Sequence, residues 1–311
     1  MIRSLLVAGV LCAGPPASAP ELQDDKEIVT EEQREAVERG HIGVTALAGM
    51  AFLAGGHLPG RGEYGPQIEK ALDFISRNRS KPFFLYVAHS MPHVPLFVSD
   101  KFKGKSKQGL YGDVIMEIDW SVGQILSALR KHRIDRNTLV LFTSDNGPWL
   151  SYGNHGGSAG PLREGKGTTW EGGQRVPCIV RWPDRIKAGS RSVHPIAFAD
   201  ALATFAKAAG RGELPEGMAE DSVSFLPVLL HPDRKHPPRP PILHEGKVIR
   251  DGAWKLIATR GGRGFDADRK VKYGTELYNL KDDISEKNNL AEKMPEKVKN
   301  LQTRMYRILN K

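Results

Sequence analysis

Two apolar runs separated by an amphipathic stretch constrain this chain more than any other feature. Phe83-Phe84-Leu85-Tyr86-Val87-Ala88 and Leu139-Val140-Leu141-Phe142-Thr143 have the length and β-branched or aromatic content of strands. The first is uninterrupted, as expected for a strand covered on both faces. Between them Ile115, Ile118, Val122, Ile125, Leu126 and Leu129 recur at helical spacing. Strand, helix, strand in that order predicts a parallel sheet with helices packed on it, an α/β fold.

The same reading extends in both directions. Ile68, Leu72 and Ile75 mark one face of a helix ending near Arg79. A third strand is predicted at about 176–182 and a helix from Asp200 to Ala209. The Pro-rich stretch His231 to Pro241 reads as a linker. Short hairpin-like strands follow at Gly246 to Ile249, Trp254 to Ala258 and Glu276 to Asn279, and an amphipathic helix from Pro295 to Leu309. Residues 67–236 therefore form the α/β domain and 237–311 a small antiparallel subdomain.

The N-terminal residues differ. Arg3, the apolar core Leu5 to Ala13 and Ala17-Ser18-Ala19 have the three-part pattern of an export signal, so 1–19 are read as a signal peptide and the protein as periplasmic or extracellular. Residues 20–66 read as a helical leader of different origin. Their run Gly43 to Ala54 is small and apolar, and resembles a helical repeat of the prenyltransferase and squalene-cyclase type. Cys12 and Cys178 are too few for a disulfide framework, and Cys178 is predicted to be a small core residue. The net charge of +9 is scattered rather than striped, which predicts a solvated basic surface and no nucleic-acid partner. No run reaches the ~20 apolar residues of a membrane helix, so no span is predicted.

Three segments carry chemistry. Ser144-Asp145-Asn146-Gly147 directly follows a predicted strand, at the end where open α/β sheets bind ligands. An adjacent carboxylate and amide are hard oxygen donors suited to Ca²⁺ or Mg²⁺, although Asp-Asn-Gly is also a common turn. Gly165-Lys166-Gly167 sets one ammonium between glycines on a loop that looks mobile, where a backbone can approach an anion. His93, between Pro92 and Pro95, is expected to be extended and able to protonate a leaving group, or else to be a satisfied structural histidine.

Taken jointly, "KPFFLYVAHSMPHVPL", "LYGDVIMEIDWSVGQIL", "NTLVLFTSDNGP" and "GPLREGKGTTWEGGQRVPCIVRWP" resemble the arylsulfatases in order and spacing, and "GAWKLI…ELYNLKDDISEKNNLA" resembles that family's C-terminal subdomain. The resemblance runs from about Gln67 onward. It implies an alkaline-phosphatase-like fold and hydrolysis of a sulfuric ester, of an aryl or sugar alcohol. It also implies Asp145 and Asn146 as Ca²⁺ (or Mg²⁺) ligands, Lys166 and His93 as the catalytic contacts to the sulfate and the bridging oxygen, and His155 near the substrate. The implied partners are a sulfate-ester small molecule or a sulfated glycan.

One part of the pattern is missing. The family's nucleophile is formylglycine, made from the first residue of a Cys/Ser-x-Pro-Ser-Arg segment. Cys12 is followed by Ala-Gly-Pro-Pro and Cys178 by Ile-Val-Arg-Trp, and the serines also fail. The strand-borne Asp-Asp pair of the family is absent as well, since Asp24-Asp25 follows Pro-Glu-Leu-Gln. The resemblance therefore implies half of an active site, with the helical leader standing where the other half belongs. A non-catalytic pseudoenzyme or binding module is one alternative; a phosphoester or phosphonate hydrolase of the same superfold is another, which the Gly-Lys-Gly-Thr-Thr-Trp-Glu-Gly-Gly segment disfavours. Without a nucleophile the covalent route is lost, and positioned charges recover little of the rate. A polypeptide of this sequence alone is expected to hydrolyse no aryl sulfate. Measured turnover that Lys166→Ala abolishes would contradict this.

Overall fold

The computed structural model describes residues 4–10, 65–258 and 274–310. The helical leader read at 20–66 lies outside the described residues, apart from the first turn of a helix at its end. In chain order the described elements begin with β1 (Ser4–Val10), α1 (Gly65–Asn78), β2 (Phe83–His89), α2 (Gly109–Lys131) and β3 (Thr138–Ser144). There follow α3 (Glu171–Gln174), β4 (Cys178–Arg181), α4 (Asp200–Ala208) and α5 (Leu226–Leu230). The last are β5 (Ile242–His244), β6 (Val248–Asp251), β7 (Trp254–Ile257), β8 (Glu276–Asn279) and α6 (Pro295–Leu309).

They divide into two compact units. Among the described residues, the first comprises those within 1–145, 177–190 and 205–212, and the second the others. In the first unit the sheet order is β2-β1-β3-β4. β1 pairs in parallel with both β2 and β3, while β4 closes the edge antiparallel to β3. The α/β reading with a mostly parallel sheet holds. However, β2 and β3 are not neighbours, because Ser4–Val10, the start of the segment read as an export signal, is paired between them.

The core follows from the side-chain period of the strands. Phe83, Leu85 and Val87 alternate onto one face of β2 and pack with Ile68, Ala71 and Ile75 of α1 and with Ile125 and Leu129 of α2. β2 is thus alternately buried and half-buried rather than buried throughout. Its other face meets Phe205, whose ring centre lies 6.2 Å from that of Phe84.

Two expectations fail here. In α2 the buried positions are Val114, Ile118, Ile125 and Leu129, while Ile115 is 41% exposed. The apolar stripe starts one residue earlier because Val114 joins Met91 and Leu96 in a second cluster. Cys178 is exposed rather than core, since it opens an edge strand whose next residue, Ile179, is also exposed.

In the second unit β5-β6-β7-β8 form an antiparallel sheet. One face, with Ile249, Leu256 and Leu277, packs on Leu301 and Met305 of α6. The other, with Val248, Ile257 and Tyr278, packs on Trp170. β5 starts directly after the proline run that reads as a linker. That run is tied down by Arg239, whose guanidinium meets the buried carboxylate of Asp200 at 2.6 and 2.8 Å. No helix among the described residues is long and apolar enough to cross a membrane.

Candidate active site

The first unit supplies His93 and Asp145. Register places the carboxyl ends of β2 and β3 level, because His89 and Ser144 both align with Val10 of the strand between them. At the usual strand spacing this puts them about 10 Å apart. Asp145 is the next residue after Ser144, and His93 lies four beyond His89. The loop carrying His93 is anchored close to β3, since Met91, Val94 and Leu96 share a cluster with Phe142. This is the ligand-binding edge of an open α/β sheet.

His93 sits in a turn, its N–H donating to Ser90 O at 3.3 Å, rather than in the extended conformation that Pro92 and Pro95 suggest. Its Nδ1 lies 2.6 Å from Val94 O. A carbonyl can only accept, so Nδ1 carries the hydrogen in this contact. Asp145 has its Oδ1 buried, and its carboxylate lies close enough to Tyr86 to act on it. Burial first, and then the Asp145 charge, raises the Tyr86 hydroxyl above its usual range.

His89 escaped the sequence reading. It is buried, with Nε2 2.6 Å from Ser121 Oγ. Ser121 spends its one hydrogen on Ile118 O at 2.8 Å, so His89 donates and Ser121 accepts. The bond fastens the end of β2 to α2 just before the His93 loop. Its only trace in the sequence is a histidine closing an apolar run.

The second unit supplies Asn146, His155 and Lys166. Asn146 follows Asp145 in the chain, and its Oδ1 is also buried. Lys166 is tied to the same segment: its N–H donates to Pro148 O at 2.8 Å. His155 is exposed, at the end of a short 3-10 stretch Leu150–His155. The loop looked mobile because of its glycines, but they serve close packing instead. A Cβ at Gly147 would lie 1.7 Å from Gly172 O, and one at Gly172 would lie 2.0 Å from Glu164 O. Gly147 N donates to Gly173 O, and Gly172 N to Arg163 O. No other residue would allow these backbones to meet.

Beneath this loop lies a buried charge network with no counterpart in the sequence reading. Lys255, 1% exposed, bridges Glu171 at 3.1 Å and Glu286 at 2.8 Å. Glu286 also accepts from the Glu171 backbone N–H at 2.6 Å, and Arg175 closes on Glu171 at 2.6 Å. Beside it Trp170 donates its indole N–H to Glu276 at 2.9 Å. Arg163 covers that ring and reaches Glu276 and the Tyr278 hydroxyl. Burial pushes the Glu171 carboxyl up, but Lys255, Arg175 and Arg250 together outweigh it and hold it below the ordinary range. For Glu286 burial prevails over Lys255, and its carboxyl is raised. A lysine reads as surface in a sequence; here Lys255 is core, with Arg163 and Arg175 at the margin of the network.

A metal ion has a partial donor set. Asp145 and Asn146 offer two hard oxygens of the kind Ca²⁺ or Mg²⁺ takes, against the ~6–8 that Ca²⁺ requires. Among the described residues no three His, Cys, Asp or Glu side chains gather as a further ligand group.

Residues 65–211 match the Sulfatase family model. Among curated relatives, an N-acetylgalactosamine-6-O-sulfatase of Bacteroides thetaiotaomicron is 35% identical over 251 residues, covering 75% of this chain and 48% of its own length. Human steryl-sulfatase is 45% identical over 165 residues, covering 51% of this chain and 28% of its own. A solved Bacteroides thetaiotaomicron sulfatase, from work on the metabolism of multiple glycosaminoglycans, superposes with a TM-score of 0.70 at 32% identity. It covers 78% of this chain, which covers 54% of it. A Pseudoalteromonas sulfatase gives 0.69 at 25% identity, over 78% and 51% of the two chains. The chain thus spans about half the length of these relatives or less.

The network carries a pH signature. His244 is pushed down to about 4, first by burial, then by the positive charge of Lys255 and Arg250, with Glu171 opposing. A histidine lowered from 6.5 in the folded state binds its proton more readily when unfolded, so its contribution is complete above pH ~6.5 and is lost as pH falls towards 4. Linkage over that gap is of the order of 3 kcal/mol. Urea unfolding between pH 7 and 4 should show His244→Gln losing less stability than wild type by about this amount. Parallel pH curves for the two proteins would contradict the assignment.

Proposed function

We propose that this chain, whose residues 65–211 match the Sulfatase family model, carries the sulfate- and leaving-group-binding half of a sulfuric ester hydrolase site. Lys166 neutralises the sulfate oxygens. His93, with Nδ1 committed to Val94 O, uses Nε2 to deliver a proton to the departing alcohol. Asp145 and Asn146 would be the chain's ligands to a divalent cation, which when bound supplies positive charge to the sulfate. His155 touches the organic part of the ester. The favoured substrate class is a sulfated sugar, on the strength of the N-acetylgalactosamine-6-O-sulfatase relative matched over three quarters of the chain.

The observation that carries this reading is the bond from Lys166 N to Pro148 O. It ties the backbone of Lys166 to the segment that follows β3, two residues after Asn146. A loop whose backbone is held in place delivers its lysine to one region of space, which favours recognition of an anion there. Export of the protein, read from its first residues, belongs to the same proposal.

A second reading is favoured by one observation. The sequence contains no Cys/Ser-x-Pro-Ser-Arg segment from which formylglycine could be made. The polypeptide as it stands would then bind a sulfate ester without turning it over. Binding is therefore the property to measure. Calorimetric titration with inorganic sulfate should give an affinity that Lys166→Ala weakens by about tenfold or more, the scale of one lost charged hydrogen bond. Unchanged affinity in that variant would remove Lys166 from the site.

A further inference from the structure

Next to Lys166 the surface is unusually apolar. The Lys166 ammonium lies 4.8 Å from the ring centre of Trp149. Tyr152 stands edge-on to Trp149, ring centres 4.7 Å apart and planes at 74°. Tyr152 is 48% exposed, and Leu150 between them 43%.

The platform is held by backbone, not by chance rotamers. Tyr152 N donates to Trp149 O in a turn. A Cβ at Gly156 would lie 2.0 Å from Trp149 O, and one at Gly165 would meet Pro148 O at 2.3 Å and Leu150 Cγ at 2.9 Å. The backbones of residues 148–150 and 165–166 are therefore fixed against each other.

We infer that Tyr152, braced edge-on by Trp149, forms a stacking wall for the ring of a sulfated sugar whose sulfate is held by Lys166, the ammonium lying over the Trp149 ring. A sugar ring presents C–H groups on its faces and hydroxyls at its rim, so an exposed aromatic wall suits a face while leaving the rim in water. The sulfate supplies the charge that complements the ammonium beside the wall. The two residues would thus set which alcohol is accepted, while Lys166 recognises the sulfate common to every substrate. This inference rests on the role of Lys166 proposed above.

Calorimetry on the full chain with three probes separates the two ideas: inorganic sulfate, N-acetylgalactosamine 6-sulfate and unsulfated N-acetylgalactosamine. The sulfated sugar should bind about three- to tenfold more tightly than inorganic sulfate, the range of one aromatic contact. Tyr152→Ala, at a half-exposed position, should erase that advantage while leaving the affinity for inorganic sulfate within about twofold. Trp149→Phe, which keeps a ring, should retain most of it. If the advantage survives Tyr152→Ala, or wild type shows none, the wall is wrong although Lys166 stands. If Lys166→Ala leaves inorganic sulfate binding intact, the sulfate assignment fails and takes the wall with it.

Discussion

The second unit depends on one buried ammonium. Lys255, on a central strand of the small sheet, is enclosed between Glu171 and Glu286. A charge removed from water is costly unless it is paired and hydrogen-bonded, and removing one partner of such a set typically costs 3–5 kcal/mol. The location of the pairing matters more than its strength. Glu171 opens the short helix that ends the Lys166 loop, and Glu286 belongs to the segment after β8. One side chain thus joins the antiparallel sheet to the Lys166 loop.

The glycines complete that arrangement. With backbone running against backbone at Gly147 and Gly172, the loop has no room to shift without breaking its hydrogen bonds. Trp170 adds an apolar plug against Val248, Ile257 and Tyr278, and its indole N–H is satisfied by Glu276. The small sheet is therefore the floor on which the loop is built, and the backbone of the Lys166 loop rests on it. In the first unit the corresponding work is done by strand register and by the His89–Ser121 bond, which fix the height of the His93 loop.

Much of this was legible in the sequence where local pattern determines structure. The strand read at Phe83–Ala88 from its compact apolar run and the amphipathic helix read at Pro295–Leu309 are found at Phe83–His89 and Pro295–Leu309. What the period cannot give is the partner. Ile115 fits the helical stripe numerically yet faces water, because the Met91 loop draws Val114 inward. Cys178 looks like core until the strand proves to be an edge. Lys255 and Glu171 are 84 residues apart, and nothing near either one marks it as buried. The motif segments were legible as a set, while the reason for their glycines became visible only from the backbones they let meet.

The most direct test of the floor is amide hydrogen exchange in Lys255→Met, which keeps the bulk of the side chain and removes its charge. The account predicts exchange at least about tenfold faster at the Lys166, Gly172 and Gly173 amides, whose acceptors are Pro148, Arg163 and Trp170, with β2 amides unchanged. Undiminished protection at those three amides, in a variant that remains folded, would contradict it.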